Sequence, residues 1–459
     1  MIEINIDGIV GPSYYFSGAG VGNVASHESR QSPSYPRAAA LEGLEKAHRV
    51  SQLGIGQYVL PPPLRPRAEF LEAIGFDGGW SDQTAAALQC EPSALAAVYS
   101  SAFIWTANAA TYAPACDTID GVSRIVPANL ISSWHRASEA AERSEEFRQL
   151  FAQVADLRIE DPLPAILPLR DEGAANHMRL SLSSCHARTY TPVETSGLHV
   201  FVYGESTSTT APRPSRFLAR QTESACRALA RRLRLHPENT FYLQQHPQAV
   251  DAGVFHNDVI ATAHESVMLH HELAFINADV ELARIESRFR ERYGRDLQRI
   301  VIRAQELPLV EAVKSYFFNC QILSDPQSDA TSEGTSRESS RMTVLFPKQC
   351  TQWKSASETA ARLLNDRTNP IERIEFVDLF QSMGGGGGPA CLRLRIQLTE
   401  QQVAALDARF RLTEQLYSRL RCIIEDCYPD RLTVEDLLRP GTRENCEAAS
   451  RRVGECFTA

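Results

Sequence analysis

The sequence predicts an α/β fold, on three observations. Segments of alternating apolar and polar residues mark strands along the whole chain. Segments with apolar residues every three to four positions mark helices. The two kinds follow one another from end to end, the order of an α/β protein rather than of separate helical and sheet halves.

The clearest strand is "CLRLRIQL", where Leu392, Leu394, Ile396 and Leu398 alternate with Arg393, Arg395 and Gln397. A period of two over that length puts one face in a core. Further strands are predicted at residues 198–204, 259–275, 315–323 and 342–347, which are rich in β-branched and aromatic side chains. A helix is predicted over residues 37–53, where Ala40, Leu41, Leu44 and Ala47 share a face. Others are predicted over 217–235, over 399–411 with Thr399 as N-cap, and over 413–438 with a break at Pro429. Residues 324–341 are polar and low in complexity, and are predicted to form a mobile surface loop between two strands. No sequence repeat recurs at a fixed period.

Composition excludes several functions. A net charge of -9 over 459 residues argues against a nucleic-acid binder. No apolar run is long enough for a transmembrane helix, so no membrane association is expected. The first residues, "MIEINIDGIVG", are acidic and strand-like, without the basic-then-apolar order of a secretion signal. Eleven cysteines, an odd number without regular spacing, suggest reduced thiols in a cytoplasmic protein.

Four stretches could carry chemistry. In "SMGGGGGPAC" five glycines, Gly384 to Gly388, lead through Pro389 and Ala390 to Cys391. Such a run is either a flexible linker or a loop where backbone approaches a ligand. A phosphate loop would need a closing Lys-Ser/Thr, which is absent. "GVFHNDV" sets His256, Asn257 and Asp258 together. They are either a turn with a capping aspartate or a general base and a carboxylate facing one ligand. "LRDEGAANH" follows Asp171 and Glu172 with glycine and alanines. That is either a solvated helix N-cap or a carboxylate held close to backbone and ligand. "FLARQTESA" puts Arg220 at the start of a predicted helix, where a cation opposes the macrodipole and an anionic partner would relieve it. Asn108 lies among alanines in "TANAAT", and His135 sits beside Arg136. "SGAGVGN" lacks the spacing of a dinucleotide loop. His264, His270 and His271 lack the spacing of a metal site, and none is expected.

Together these segments resemble the N-succinylarginine dihydrolase family. The likeness runs from "IDGIVG" to about "DRLTVEDL" and rests on "AGVGNVAS", "WTANAAT", "DEGAANH", "RPSRFLARQT", "GVFHNDVIA" and "GGGPACLRLR". It implies a single pentein domain over residues 1–459, a five-bladed α/β propeller around a central site. It implies hydrolysis of N2-succinylarginine to N2-succinylornithine, two ammonia and carbon dioxide, in arginine catabolism. No cofactor or metal is implied, and the family likeness suggests a cytoplasmic homodimer. By that likeness Cys391 is the nucleophile, and His256 and Glu172 complete the catalytic set. Ser17, Gly18, Ala19, Gly20, Val21, Gly22, Asn23, Val24, Ala25 and Ser26 match a substrate-contacting loop, as do the single positions Asn108, His135, Arg136, Arg220 and Asp258. One position departs: Gly385 stands where the family carries an asparagine.

The residue types suit that chemistry. A guanidinium carbon is a poor electrophile, and a thiolate attacks it far better than a hydroxyl does. A cationic substrate beside Cys391 lowers the thiol pKa. Glu172 and Asp258 can accept hydrogen bonds from the guanidinium, and Arg220 and Arg136 can hold the two distal carboxylates. Two other classes stay open. One is a pentein deiminase or amidinotransferase acting on another guanidino compound. The other is a binding protein for arginine derivatives that does not use the thiol.

Overall fold

The computed structural model describes residues 1–15, 20, 22–29, 32–182, 195–326 and 341–458. Among them fifteen strands form five three-stranded sheets, and every sheet is wired alike. The second sheet is β3 (Ala110–Ala113), β4 (Ser123–Pro127) and β5 (Leu157–Ile159), with β3 antiparallel and β5 parallel to β4. The same pattern joins β6 (His177–Leu180), β7 (Leu198–Tyr203) and β8 (Thr240–Gln244). It recurs in β9 (Ala261–His264), β10 (Val267–His271) and β11 (Gln298–Ile302). It recurs again in β12 (Gln321–Ser324), β13 (Met342–Pro347) and β14 (Ile371–Val377). A parallel neighbour needs a crossover, usually a helix. Each sheet has one in the same place: Ala140–Leu150, Glu223–Arg232, Ala278–Tyr293 and Lys354–Asn365.

The first sheet draws on both ends of the chain. β1 (Ile2–Gly8) runs parallel to β2 (Gly56–Leu60), across the helix Pro36–Gln52. Its antiparallel partner is β15 (Arg393–Leu398), the strand predicted from its alternation. Ile4 faces Ile396 and Ile6 faces Leu394, and all four are buried. The repeat is therefore structural and escapes the sequence. Hydrogen-bond wiring defines it, while the crossover helices range from 10 to 17 residues.

The predicted helix over 37–53 is present as Pro36–Gln52. Thr399 caps as expected, accepting from the Gln402 amide at 3.1 Å, but the helix ends at Ala404. The helix expected over 217–235 begins only at Glu223, because Thr222 caps it by accepting from Ala225 N at 3.1 Å. Residues 259–275 form two strands, not one, reversed at Glu265 with φ of 52°. Residues 315–323 are a strand only from Gln321. The helix Leu309–Ser315 ends there on Tyr316 in the left-handed region, and Phe317 and Phe318 fill a core. Helices Glu414–Cys427 and Val434–Leu437 match the reading of 413–438, and Pro440–Gly454 follows. The loop predicted at 324–341 falls mainly on 327–340, outside the described residues. No helix among the described residues is long and apolar enough to cross a membrane.

The wiring brings the chemistry to one kind of place, the turn that leads into the first strand of each sheet. Asn108 precedes β3, Glu172 to Asn176 precede β6, and His256 to Asp258 precede β9. Asn319 precedes β12, and Cys391 precedes β15.

The first sheet is tied to its helix by a buried ion pair. Lys46 Nζ lies 2.6 Å from Asp7 Oδ2, and Gln57 donates to Oδ1 at 2.6 Å. Removing one charge leaves the other desolvated and unpaired. Lys46→Met should destabilise the protein by about 3–5 kcal/mol, and adding Asp7→Asn should recover part of that loss. Urea unfolding of the two variants checks this, and a loss below about 1 kcal/mol in the single variant would show that the pair is not structural.

Candidate active site

A cavity opens where these turns converge. Gly20, Asn23, Ser26, Asn108, His135, Arg136, Arg220, His256 and Cys391, all positions named by the family likeness, line it. Glu172 and Asp258 are absent from the lining but touch residues that form it. Gly22, Val24 and Ala25 are described and do not line it. Ser17, Gly18, Ala19 and Val21 lie outside the described residues.

The glycine run is a packed loop and not a linker. Gly384 and Gly385 close the helix Phe380–Gly385, whose first turn is capped by Glu42 accepting from Gln381 N at 2.9 Å. Gly386 then turns with φ of +100°, a conformation that favours glycine. A Cβ on Gly386 would fall 1.7 Å from Asn23 Nδ2, which donates to the Gly386 carbonyl at 3.3 Å. On Gly387 it would meet Trp105 Nε1 at 2.2 Å, and on Gly388 Asn319 Oδ1 at 2.8 Å. Three side chains press on the backbone, so side chains there are excluded by space.

That loop delivers a buried thiol. Cys391 Sγ lies 3.2 Å from Asp258 Oδ2 and 3.1 Å from Asn319 Nδ2. Burial, and then the Asp258 carboxylate, push the thiol well above its usual pKa. Burial raises Asp258 to about 6, with Cys391 and Arg393 opposing. Asp258 Oδ1 meets no hydrogen-bond donor among the described residues.

His256 is held from behind. Its Nε2 lies 2.9 Å from Glu172 Oε2, and its Nδ1 lies 3.4 Å from Asn108 Nδ2. Asn108 Nδ2 also donates to the Glu172 carbonyl at 3.1 Å, which fixes the amide with its donor toward His256. Nδ1 is then the acceptor, and Nε2 carries the proton shared with Glu172. Burial lowers His256 to about 4 despite Glu172, so the ring is neutral near pH 7. Burial would raise Glu172, but Arg136, His256 and Arg220 outweigh it and hold the carboxyl well below its usual range. Ser132 donates to Glu172 Oε1, and Arg136 Nη1 stands 2.6 Å from Oε2. Glu172 is thus engaged by protein groups and is not a solvated N-cap.

Arg220 does not open a helix. It precedes the Thr222 cap, so the expected conflict with the macrodipole does not arise. Its guanidinium lies 4.6 Å from the Phe255 ring centroid and 3.9 Å from Glu172, and burial lowers it to about 10. Arg136 Nε and Nη2 meet no acceptor among the described residues. Burial and then the neighbouring arginines bring His135 down to about 3. Two cations and a neutral imidazole on one cavity suit an anionic ligand group. His264, His270 and His271 bond to Ser324 and to the backbone carbonyls of His271 and Leu307, and no metal-binding cluster gathers among the described residues.

Sequence reasoning missed Asn319, Trp105 and Ser132. Asn319 falls inside the strand predicted at 315–323. The available signal was a polar residue between "YFF" and an apolar run, in the position that Cys391 occupies before β15.

A family model described as Succinylarginine dihydrolase matches residues 1–458. The N-succinylarginine dihydrolase of Nitrosospira multiformis is 39% identical over 449 residues, covering 97% of this chain and 95% of that protein. That of Myxococcus xanthus is 39% identical over 440 residues, covering 96% and 94%. Among solved structures, the N-terminal domain of ArgZ, an arginine dihydrolase, aligns with a TM-score of 0.47 at 14% identity, covering 86% of this chain and 98% of that one. A dimethylarginine dimethylaminohydrolase adduct aligns with a TM-score of 0.43 at 11% identity, covering 86% of this chain and 100% of that one. With a model spanning nearly every residue and relatives of this identity along the whole length, the chain belongs to the succinylarginine dihydrolase family.

Proposed function

We propose that the protein hydrolyses N2-succinyl-L-arginine with two waters to N2-succinyl-L-ornithine, two ammonia and carbon dioxide. Its family membership supports this, and so does one observation above all: a buried thiol, a neutral imidazole and two arginines line a single cavity. Cys391 is the nucleophile. The substrate guanidinium lies over the sulfur, with Asp258 accepting its N–H groups, and its positive charge favours loss of the thiol proton. The thiol proton passes to His256 Nδ1 as the sulfur adds to the guanidinium carbon, and the imidazolium then delivers it to the nitrogen that leaves as ammonia. His256 Nδ1 then takes a proton from the water that attacks the thio-linked carbon. The ureido product passes through the same steps. The second ammonia leaves, a second water attacks, and carbon dioxide is lost from the carbamate.

Glu172 has a different role from guanidinium binding. Its oxygens already face Ser132, Arg136 and His256, so it orients the imidazole and the arginine. Arg136 and Arg220 take the substrate carboxylates, and Gly20, Asn23 and Ser26 line the same cavity. The alike wiring of five sheets, closed by β15 on β1, supports a single five-bladed propeller domain. The family likeness extends this reading to a cytoplasmic homodimer without cofactor.

Cys391→Ser should lower kcat by about 10³-fold or more while the protein remains folded. Parent enzyme should release two ammonia per succinylarginine consumed. A serine variant retaining a tenth of the rate would sink the covalent mechanism, and one ammonia with a ureido product would make the protein a deiminase.

Arg220→Met tests the acyl end. Charge-assisted hydrogen bonds contribute about 1.5–3 kcal/mol. The variant should therefore lower kcat/KM for succinylarginine by roughly 10- to 100-fold relative to acetylarginine. An unchanged ratio would remove Arg220 from acyl recognition.

A further inference from the structure

Four of the five turns that precede a first strand supply residues with a role in this reading: Asn108, Glu172, His256 with Asp258, and Cys391. The fifth, before β12, supplies Asn319. We propose that Asn319 is a catalytic residue of this site: its side-chain amide fixes the Cys391 sulfur and stabilises it as the thiolate that attacks the substrate. This rests on Cys391 being the nucleophile.

The geometry leaves the amide one orientation. Asn319 Oδ1 accepts from the Cys391 backbone N–H at 3.2 Å. Nδ2 donates to the Asp258 backbone carbonyl at 3.3 Å. A flipped amide would set N–H against N–H and oxygen against oxygen. So the atom facing Sγ, 3.1 Å away, is a donor. Its two protons are divided between sulfur and the Asp258 carbonyl. The side chain is fully buried, so water does not compete for those bonds.

The backbone of Asn319 completes the grip, since its carbonyl accepts from Ala390 N at 3.1 Å. One residue thus holds Ala390, the Cys391 backbone and the Cys391 sulfur. The space left for its Oδ1 also explains Gly388, where a Cβ would intrude to 2.8 Å.

Sulfur therefore sits between opposed neighbours. Asp258 Oδ2 at 3.2 Å accepts the thiol proton and disfavours the thiolate. Asn319 Nδ2 on the sulfur favours the thiolate, because a hydrogen bond donated to an anion is stronger than one donated to a neutral group. With a substrate cation on Asp258, the carboxylate is neutralised and the amide remains. The reacting form is then the one that Asn319 stabilises.

Alkylation of Cys391 by iodoacetamide in the substrate-free protein reads this directly. The rate is followed from pH 6 to 10 by the mass of the Cys391 peptide, which separates it from the exposed thiols of Cys90 and Cys422. Asn319→Asp keeps the shape but sets a carboxylate oxygen against sulfur. It should raise the apparent thiol pKa by about one unit or more, a fall of about tenfold in alkylation rate at a fixed pH below it. Asn319→Ala should shift it in the same direction by less, and Asp258→Asn in the opposite direction. In turnover, both Asn319 variants should lower kcat by about 10²-fold with KM within a fewfold. Asn319→Ala adds no charge, and decides the question alone if the aspartate prevents folding. Unchanged alkylation profiles in folded Asn319 variants would overturn the proposal. Failure of the Cys391→Ser test would instead overturn the function, because the thiol titration needs no turnover.

Discussion

The pairing of β15 with β1 is the constraint on which the site depends. Its register joins Ile2 to Leu398 and Asp7 to Arg393, and so ties the end of the chain's last strand to its beginning. Cys391 enters that strand directly, so pairing sets the sulfur's position. The Cys391 carbonyl accepts from Ala107 N at 3.1 Å, which links the same turn to the second sheet. Loop-closure entropy grows only with the logarithm of loop length, so joining residues almost 400 apart is affordable once a six-pair ladder and a buried apolar face reward it.

Within that frame, burial governs the electrostatics. Removal from water pushes the Cys391 thiol and Asp258 up and His256 down, each toward its neutral form. Glu172 goes the other way only because Arg136, His256 and Arg220 surround it. In the proposed reaction a guanidinium on Asp258 changes the balance at that carboxylate and at sulfur together. Preorganised donors on sulfur then act without rearrangement, where a low dielectric makes them strongest.

The glycine loop shows how space and chemistry are joined. Asn23, Trp105 and Asn319 come from three distant parts of the chain and press on three consecutive glycines. Asn23 binds the loop carbonyls, Trp105 lines the cavity, and Asn319 reaches the thiol. A run that resembles a flexible linker in isolation has no room for a side chain at three consecutive positions.

Sequence by itself determined what depends on local period and on residue chemistry. The alternation of 392–398, the face of Pro36–Gln52 and the Thr399 cap all appear in the structure, because each is set by neighbours a few residues away. Cys391 after its glycines, His256 beside Asn257 and Asp258, and Asn108 among alanines stood out locally, whereas Arg220 was marked by a helix start the structure does not have and Arg136 entered through the family likeness. Tertiary structure decided the rest. The fivefold wiring is written in hydrogen bonds between strands, which no residue pattern encodes. Glu172 read first as a solvated cap with a ligand carboxylate as the alternative, and only the arrival of Ser132, Arg136 and His256 engaged both oxygens. Asn319 read as part of a strand, since its significance lies in a sulfur 72 residues away. Long-range pairing, not local propensity, brought those two groups within a hydrogen bond of each other.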